Sequence, residues 1–368
     1  MTKYPCLNVN LDAIENNAKV ICNFCHNYKI NVAGVVKFSD CDIDVVKAYH
    51  NGGCSQIAVS RAVHLEKIKK EIPDIETLLL RIPSKSEMGI VARFADLVLF
   101  SDRNALCALD KEAGLSGTVP GVILMLDVGD LREGVASVDE LVELALLAEE
   151  LPNINLRGVG TSLACLNGVL PTWENLSYLV NGAKKVEEAI GRKLEIISGG
   201  SSINLTLLKN GKNEVPPEIN HLRIGGNIAN PINMRINRNV AIEGMREDSI
   251  SITAEIVELR EKDSAPKNSS AKNWAGEEIK FADKGRRKRA IIAIGSQDIG
   301  SYTTLMPMEE GIEVVGGSSD HTIIDVTDSK KDYKWGDTIT FQVKYAAMLY
   351  GFSGKHININ FCNDDLGK

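Results

Sequence analysis

A lysine stands at the end of an apolar run near the start of the chain. The run VAGVVK ends at Lys37, and its other residues are typical of a strand that is buried on both faces. Burial lowers the pKa of a lysine and makes its amine a usable nucleophile. A lysine in this position could also lie along the apolar surface with its ammonium in water. Lys37 is therefore a candidate amine nucleophile, and the run alone does not decide between the two roles.

Two segments rich in glycine and serine could bind a phosphate. ISGGSS covers residues 197–202, and RIGG covers residues 223–226. Glycines let the backbone approach a ligand closely, and serine hydroxyls with exposed N–H groups suit a phosphate at a helix N-terminus. The same residues also favour an ordinary turn between a strand and a helix. We expect ISGGSS to follow a strand and to open a helix, and we keep both interpretations.

Such residues need strands to position them, and the sequence predicts a regular series. After an opening strand, LNVNL, apolar runs alternate with helical patterns, which indicates a parallel sheet. We count eight strand–helix units, the number that closes a TIM-type (β/α)₈ barrel with its active site at the carboxyl ends of the strands. The two glycine-rich segments follow strands seven and eight of this count, where phosphate sites of such barrels often lie. A doubly wound open sheet is the alternative, but no GxGxxG follows the first strand.

The pattern changes near residue 237 to a series of short strands. We therefore predict a barrel domain of residues 1–236 followed by a smaller, mostly β domain of residues 237–368. The polar, lysine-rich stretch from Glu261 to Arg289 predicts a long loop inside the second domain.

Composition limits the function classes. The net charge of −7 argues against nucleic-acid binding, which needs a basic surface. The first residues given contain no apolar core of signal-peptide length, and no stretch reaches the apolar length of a membrane helix, so we expect neither a signal peptide nor a membrane span. The eight cysteines are expected to be reduced thiols, and Cys22 and Cys25 have no second pair at zinc spacing. We expect a cytoplasmic protein that has no metal site and that binds neither a membrane nor a nucleic acid.

Taken together, the motifs resemble those of the alanine racemase family, the fold-type III enzymes that use pyridoxal 5′-phosphate (PLP). The similarity covers most of the chain. It implies that Lys37 holds PLP as a Schiff base. The segment LDVGDLREG places Arg132 on a cofactor oxygen, and SGGSS places Ser201 and Ser202 on the phosphate. The resemblance also implies the fold predicted above.

The segment HLRIGG completes the implied cofactor site. It places Arg223 at the pyridine nitrogen, and it places the backbone of Gly225 and Gly226 on the phosphate. An arginine keeps its proton and so leaves that nitrogen unprotonated, which favours simple proton return to the substrate.

Three segments are similar to the ornithine racemase branch in particular: GVGTSLACLNGVLPT, LREGV and SSDHTIIDVTDSKKDY. The resemblance implies an amino-acid racemase that removes and returns a Cα proton, acting on ornithine or another basic amino acid. Alanine, serine, lysine and arginine remain open as substrates. The other functions considered are a D-amino-acid aldolase or decarboxylase on the same barrel and a PLP-binding regulatory protein. An aldolase of this fold is expected to need a metal, for which the sequence has no compact ligand cluster.

The second catalytic base is the point at which the sequence departs from the family. The family takes this base from a tyrosine in the partner's second domain. In the comparable stretch, KFADKGRRKR, the only aromatic residue is Phe281, which has no hydroxyl to exchange a proton. His321 has a suitable pKa, and it lies in GGSSDHT, the segment expected to reach the partner's site in a homodimer. Cys165 follows the sixth barrel strand. Tyr302, Tyr350 and water are the remaining candidates.

Overall fold

The structure is a computed structural model, and it describes residues 3–208, 213–267, 272, 276 and 282–364. Contacts divide the chain into two units. One is residues 14–246, and the other joins the described residues up to Ala13 with those from Glu247 onward. The predicted boundary at residues 236 and 237 lies ten residues before this division, and strand β1 (Cys6–Asn10) belongs to the smaller unit because it pairs with strands there. Strands and helices are numbered along the chain.

The larger unit contains a closed parallel barrel of eight strands. In order around the barrel they are β2 (Asn31–Val35), β3 (Gln56–Val59), β4 (Thr77–Leu79), β5 (Leu97–Phe100), β6 (Gly121–Met125), β7 (Asn155–Gly160), β8 (Ile196–Ser201) and β9 (His221–Ile224). Strand β9 pairs with β2 and closes the ring. The predicted count of eight barrel strands and the predicted fold class are therefore confirmed.

Helices follow the barrel strands, as the alternating pattern predicts. The helices of this part of the chain are α1 (Leu11–His26), α2 (Ile43–Asn51), α3 (Ala62–Glu71), α4 (Met88–Phe94), α5 (Arg103–Ser116), α6 (Val138–Glu150), α7 (Trp173–Ile190), α8 (Leu205–Leu208), α9 (Gly226–Ala229) and α10 (Ile232–Arg238). Side-chain caps fix several of their starts. Asp42 accepts hydrogen bonds from two backbone N–H groups of α2, and Thr172 forms a capping box with Asn175.

The barrel interior is apolar on one side and polar on the other. Buried side chains of β2 to β6 and of Ile196 form an apolar cluster: Ala33, Val35, Ala58, Leu78, Leu97, Leu99, Ile123, Met125 and Ile196. The polar side is made by Ser198, His221 and Arg223 of β8 and β9. His221 and Arg223 are two residues apart, so both point to the same face of their strand.

The structure corrects the expected position of ISGGSS. Strand β8 runs through residue 201, so most of the segment lies in the strand and not after it. The register between β8 and β9 shifts between Ser198 and Ser201. Gly199 and Gly200 occupy this irregularity, and Gly200 has a φ of +114°, which favours glycine. The helical turn begins only at Ser202.

The smaller unit is a mostly antiparallel sheet. Its further elements are β10 (Ile250–Asp263), β11 (Arg286–Ile292), α11 (Ser296–Ile299), β12 (Leu305–Pro307), β13 (Glu313–Gly317), β14 (Thr322–Asp325), β15 (Thr338–Val343), α12 (Tyr345–Ser353) and β16 (Asn358–Cys362). The strands are ordered β12–β15–β10–β11–β14–β13, and β1 pairs with both β10 and β16. The predicted β-rich character of this region is confirmed.

The predicted loop from Glu261 to Arg289 is too long. Strand β10 continues to Asp263 and β11 begins at Arg286, with Glu261 opposite Lys288 and Lys262 opposite Arg287. These strand ends are polar because their residues are exposed or half-buried. Phe281 lies outside the described residues.

Among the described helices, none combines the length and the apolar character that crossing a membrane requires.

Candidate active site

Lys37 was predicted to end the first barrel strand, and it lies two residues after the carboxyl end of β2. It is exposed and begins a single 3₁₀ turn, which the Ser39 backbone N–H closes by donating to the carbonyl of Val36 at 3.1 Å. Asp40 and Cys41 follow with φ values of 48° and 57°. Two successive non-glycine residues in the left-handed region are strained, and such strain is often found beside functional groups. The Lys37 amine is thus placed at the mouth of the barrel by a sharp change of chain direction.

The backbone at Gly225 approaches the strand that carries Lys37 very closely. A Cβ atom at Gly225 would lie 2.9 Å from the carbonyl oxygen of Val35, so only glycine fits there. The hydroxyl of Tyr49 donates to the carbonyl of Gly225 at 3.0 Å and holds this backbone in place. Gly225 and Gly226, which start the short helix α9, are therefore next to the β2 end, as the predicted phosphate site requires.

Hydrogen bonds from a buried asparagine stabilise the backbone at the end of β8. Asn204 is fully buried, and its amide donates to the carbonyls of Gly199 and Ser201 at 2.9 and 3.1 Å. Ser201 and Ser202 are half-buried and lie at the end of the strand. Because Ser201 pairs with Arg223 across β8 and β9, the two predicted phosphate segments lie side by side.

Arg223 is held rigidly inside the barrel. Its Nη1 donates to Ser198 Oγ at 2.6 Å and its Nη2 donates to the carbonyl of Thr161 at 2.7 Å. Burial lowers the pKa of its guanidinium to about 10, which leaves the group charged at neutral pH. A buried, permanent cation is thereby fixed on the strand next to the one that carries Lys37.

Arg132 lies in the loop after β6, and its partners come from loops. It forms an ion pair with Glu133, donates to Cys165 Sγ, and donates to Ser162 Oγ at 2.7 Å. The structure thus brings together two predicted residues, Arg132 and Cys165, that are separated by 33 positions. Cys165 is exposed, so its thiol is open to solvent in the described chain.

Asp130 connects the two loops. Its side chain is buried, and its oxygens accept from the backbone N–H groups of residues 165, 166, 167 and 169 at 3.1–3.4 Å. Burial raises the pKa of this carboxyl, but the backbone N–H donors together outweigh burial and the pKa is lowered. An ionised carboxylate therefore organises the loop that carries Cys165.

His321 belongs to the smaller unit, which is described by itself. It is exposed at the tip of the β13–β14 hairpin, where its carbonyl accepts from the Ser318 N–H at 2.8 Å. In the same unit Tyr302 packs beside Gly317, since a Cβ at that glycine would lie 3.1 Å from the tyrosine Cβ. Tyr350 is exposed on α12. The choice of second base among these residues stays a prediction.

Sequence reasoning missed the polar residues behind the two arginines. Glu133, Asp130, Ser198 and His221 were not singled out, although each contacts a predicted site residue or its loop. One signal was available. His221 and Arg223 interrupt an apolar strand at positions i and i+2, which puts both on the same face.

Comparison with known proteins decides the family. The family model "Alanine racemase, N-terminal domain" matches residues 9–228. The chain belongs to this family. It is 37% identical over 360 residues to an ornithine racemase of Acetoanaerobium sticklandii, covering 96% of this chain and 98% of the relative. It is 34% identical over 346 residues to a lysine racemase of Thermotoga maritima, covering 94% and 95% of the two chains. The predicted family is confirmed.

Solved structures agree with the family in fold. The alanine racemase of a D-cycloserine-producing Streptomyces lavendulae matches with a TM-score of 0.76 and 14% identity, covering 98% of both chains. A D-threonine aldolase from Filomicrobium marinum matches with a TM-score of 0.72 and 14% identity, covering 95% of this chain and 89% of the other. Because the identities are this low, these similarities establish the shared fold alone.

The residues at the barrel mouth fit the PLP that family members use. PLP has an aldehyde, a pyridine nitrogen and a phosphate. The mouth offers an amine at Lys37, a buried guanidinium at Arg223 and a close-packed glycine at Gly225, where a side chain would collide with the backbone. The serine hydroxyls and backbone at the ends of β8 and β9 suit the phosphate.

Proposed function

We propose that this protein is a PLP-dependent amino-acid racemase that acts on ornithine or another basic amino acid, with PLP held on Lys37. The observation that carries the proposal is Arg223, a buried guanidinium fixed by two hydrogen bonds on the strand beside Lys37. The names of the two full-length relatives, an ornithine racemase and a lysine racemase, support a basic substrate.

The chain's own residues would share the work as follows. When bound, PLP supplies the electron sink that stabilises a carbanion at Cα. The Lys37 amine moves a proton at Cα on one face of the substrate. Arg223 keeps its own proton and would donate a hydrogen bond to the pyridine nitrogen without protonating it. Ser201, Ser202 and the backbone of Gly225 and Gly226 would hold the phosphate, and Arg132 would contact a cofactor oxygen.

The opposite face of Cα needs a second proton carrier. Cys165 is supported by its contact with Arg132 at the barrel mouth. His321 is supported by its exposed position at a hairpin tip, from which it could reach a partner subunit. Cys165→Ala and His321→Ala are compared to identify this carrier. The variant that no longer racemises, but still exchanges the Cα proton of one enantiomer, lacks the second base. Near-normal racemisation by both variants would instead point to Tyr302, Tyr350 or water.

A panel of L-amino acids tests the activity directly. We expect D-ornithine or D-lysine to form from the L-enantiomer, with solvent deuterium entering Cα and no net loss of amino acid. Net cleavage with release of an aldehyde would instead identify an aldolase, and loss of carbon dioxide would identify a decarboxylase. No turnover with any amino acid, despite bound PLP, would favour a regulatory protein.

Borohydride reduction tests the role of Lys37. The purified wild-type protein should lose its visible cofactor band and carry a reduced adduct on the peptide that contains Lys37. Lys37→Ala should carry none, whereas Lys29→Ala, a surface change at the opposite, amino end of β2, should behave as the wild type. A reducible covalent cofactor in Lys37→Ala would contradict the assignment.

We also propose that the protein is a homodimer in the cytoplasm, with the hairpin segment GGSSDHT reaching the partner's site. Large apolar side chains are exposed on the loops after β6 and β7 and at the start of α7, with Leu131 74%, Leu166 63% and Trp173 55% accessible. Asp130 joins the loops that carry Leu131 and Leu166, and exposed apolar groups on neighbouring loops are typical of an interaction surface. All eight cysteines are free thiols, which supports a reducing compartment. A fully active monomer in light scattering would contradict the dimer.

A further inference from the structure

A chain of polar side chains, buried except for the half-buried Glu76 at its far end, leads away from Arg223 through the barrel. Ser198 Oγ, which accepts from Arg223, lies 2.8 Å from His221 Nδ1. The other ring nitrogen, His221 Nε2, lies 3.0 Å from Gln56 Oε1. The amide of Gln56 then donates to Glu76 at 2.7 Å. These residues come from β8, β9 and β3 and from the residue before β4, so the chain crosses the polar side of the interior.

The direction of every hydrogen bond in the chain follows from its far end. The Glu76 carboxylate can only accept, so Gln56 must use its NH₂ group there and has its carbonyl oxygen free for the histidine. His221 must then donate from Nε2, and its Nδ1 is left as an acceptor. The Ser198 hydroxyl therefore donates to Nδ1, which leaves the lone pairs of its oxygen for Arg223.

His221 has to be neutral for this arrangement. Its side chain is 3% exposed, and burial, with the nearby positive charge of Arg223, lowers its pKa to about 3. A protonated ring would place two donors, Nδ1–H and the Arg223 guanidinium, on the same serine oxygen. Glu76 is balanced at its other side by an ion pair with Arg157, so the negative end of the chain is itself fixed.

We propose that His221 and Gln56 are positioning residues, which orient the Ser198 hydroxyl so that its oxygen fixes the guanidinium of Arg223 at the mouth of the barrel. The inference rests on the proposed function for the role of Arg223 at the cofactor ring. It adds a set of residues at the opposite ends of the strands, outside any contact with substrate or cofactor, that determine the geometry of that arginine.

The geometry explains why a serine alone is insufficient. A buried hydroxyl without a defined acceptor can rotate and turn its hydrogen toward Arg223, which removes a hydrogen bond to a charged group. With His221 Nδ1 as the acceptor, only one orientation satisfies all the polar atoms. The arginine is then held at two nitrogens, by Ser198 and by the carbonyl of Thr161, which defines the plane of its guanidinium.

Selective ¹⁵N labelling of histidine tests the direction of the chain without relying on activity. The protein has six histidines, so the signals can be assigned by comparing the wild type with His221→Asn. Between pH 6 and 8 we expect His221 to be neutral and to carry its proton on Nε2. A proton on Nδ1, or a doubly protonated ring, would overturn the proposal.

Variants of the holoenzyme test the effect on Arg223. Both Ser198→Ala and His221→Leu should lower kcat by about tenfold, the effect of one hydrogen bond to a charged group, with little change in KM. Both should also raise the ratio of transamination to racemisation and shift the cofactor absorption band. His221→Asn, whose side-chain oxygen can take the place of Nδ1 as the acceptor, should restore the ratio.

Thr77→Val provides the matched control. Thr77 is fully buried at the start of β4, next to Glu76, but its hydroxyl donates to Asp96 and to the carbonyl of Phe94, which are not members of the chain to Arg223. It should lower the melting temperature and leave the transamination ratio unchanged. An unchanged ratio in Ser198→Ala and His221→Leu would overturn the proposal, and so would the same ratio in His221→Leu and His221→Asn. If His221→Leu does not fold, Ser198→Ala decides. If the wild type racemises no amino acid, the proposed function fails, while the tautomer measurement still decides the hydrogen-bond chain.

Discussion

The β8–β9 wall of the barrel and the loops after β6 and β7 each hold one of the two arginines assigned to the cofactor. Arg223 is buried, and its partners lie on or directly after barrel strands. Arg132 has a side chain that is 37% exposed, and its partners Glu133, Ser162 and Cys165 lie outside the strands. The strand-based arginine is therefore preorganised by the fold, whereas the loop-based arginine depends on a local conformation that Asp130 maintains. Strands are rigid enough to fix a contact that is the same for every substrate, whereas loops can carry contacts that differ between substrates.

The largest effect is expected from replacing Arg223, the arginine that the barrel strands hold rigidly. Arg223→Glu should lower racemisation by on the order of a hundredfold or more, since it replaces a preorganised donor with a carboxylate. The carboxylate would let the ring nitrogen be protonated, so transamination should rise. Arg132→Gln should cost less, because its site is solvent-exposed and adaptable. Rate measurements of both reactions check this, and an equal loss in the two variants would remove the distinction between the regions.

An intermediate effect is expected from acid acting on the polar side of the barrel. The pKa of His221 is lowered to about 3 by burial, while an unfolded histidine titrates near 6.5. Its contribution to stability is complete above pH 6.5 and is lost as the pH falls toward 3, because the unfolded state takes up the proton first. The free energy of unfolding should fall by about 2 kcal/mol from this group between pH 7 and 5.

Denaturant titrations at several pH values, with His221→Asn as the comparison, isolate this contribution. The variant should show a shallower loss of stability over the same interval. Parallel curves for the two proteins would mean that His221 is not a buried neutral residue in solution.

The smallest effect is expected from the loop side. Asp130→Asn should lower the free energy of unfolding by about 1–2 kcal/mol, because an amide is a weaker acceptor for the backbone N–H groups of residues 165–169. It should also loosen the loop and speed alkylation of Cys165, while exposed Cys107 reacts at its usual rate. The lowered pKa of Asp130 means that its contribution is present above the pH at which an unfolded aspartate titrates and is lost as the pH falls below it.

Asp127→Asn is the matched control for this change. The Asp127 carboxylate accepts from the backbone N–H groups of residues 129 and 131, so it also stabilises a turn after β6, but it has no bond to residues 165–169. It should leave the alkylation rate of Cys165 unchanged. An equal increase in both variants would show that Asp130 has no specific part in holding that loop.

The same two regions show what the sequence could predict. The barrel was predictable because each of its strands is a short, mostly apolar run that a glycine or a polar residue follows within two positions. The positions of Lys37 and Arg223 could be predicted too, since Lys37 lies two residues after β2 and Arg223 lies one residue before the end of β9. The contact between Arg132 and Cys165 could not be predicted, because it depends on Leu131 and Ala164 adopting left-handed backbone conformations that their residue types do not favour. The chain from Arg223 to Glu76 was hidden for another reason. Its members are brought together only when the sheet closes, and the spacing of His221 and Arg223 marks a shared face of β9 without identifying the partners on the other strands.

Strand β1 has a consequence for how the chain is made. Residues 6–10 leave the ribosome before the barrel strands do, yet they pair with β10 at residues 250–253 and with β16 at residues 358–362. The whole barrel is synthesised in between. The backbone groups of β1 therefore stay unpaired until β10 and β16 have been synthesised. The barrel, in contrast, can form from segments that are neighbours in the sequence. We therefore expect nascent chains arrested after residue 246 to contain a protease-resistant barrel with residues 3–10 still open to cleavage, and to lose that sensitivity only when β16 has emerged.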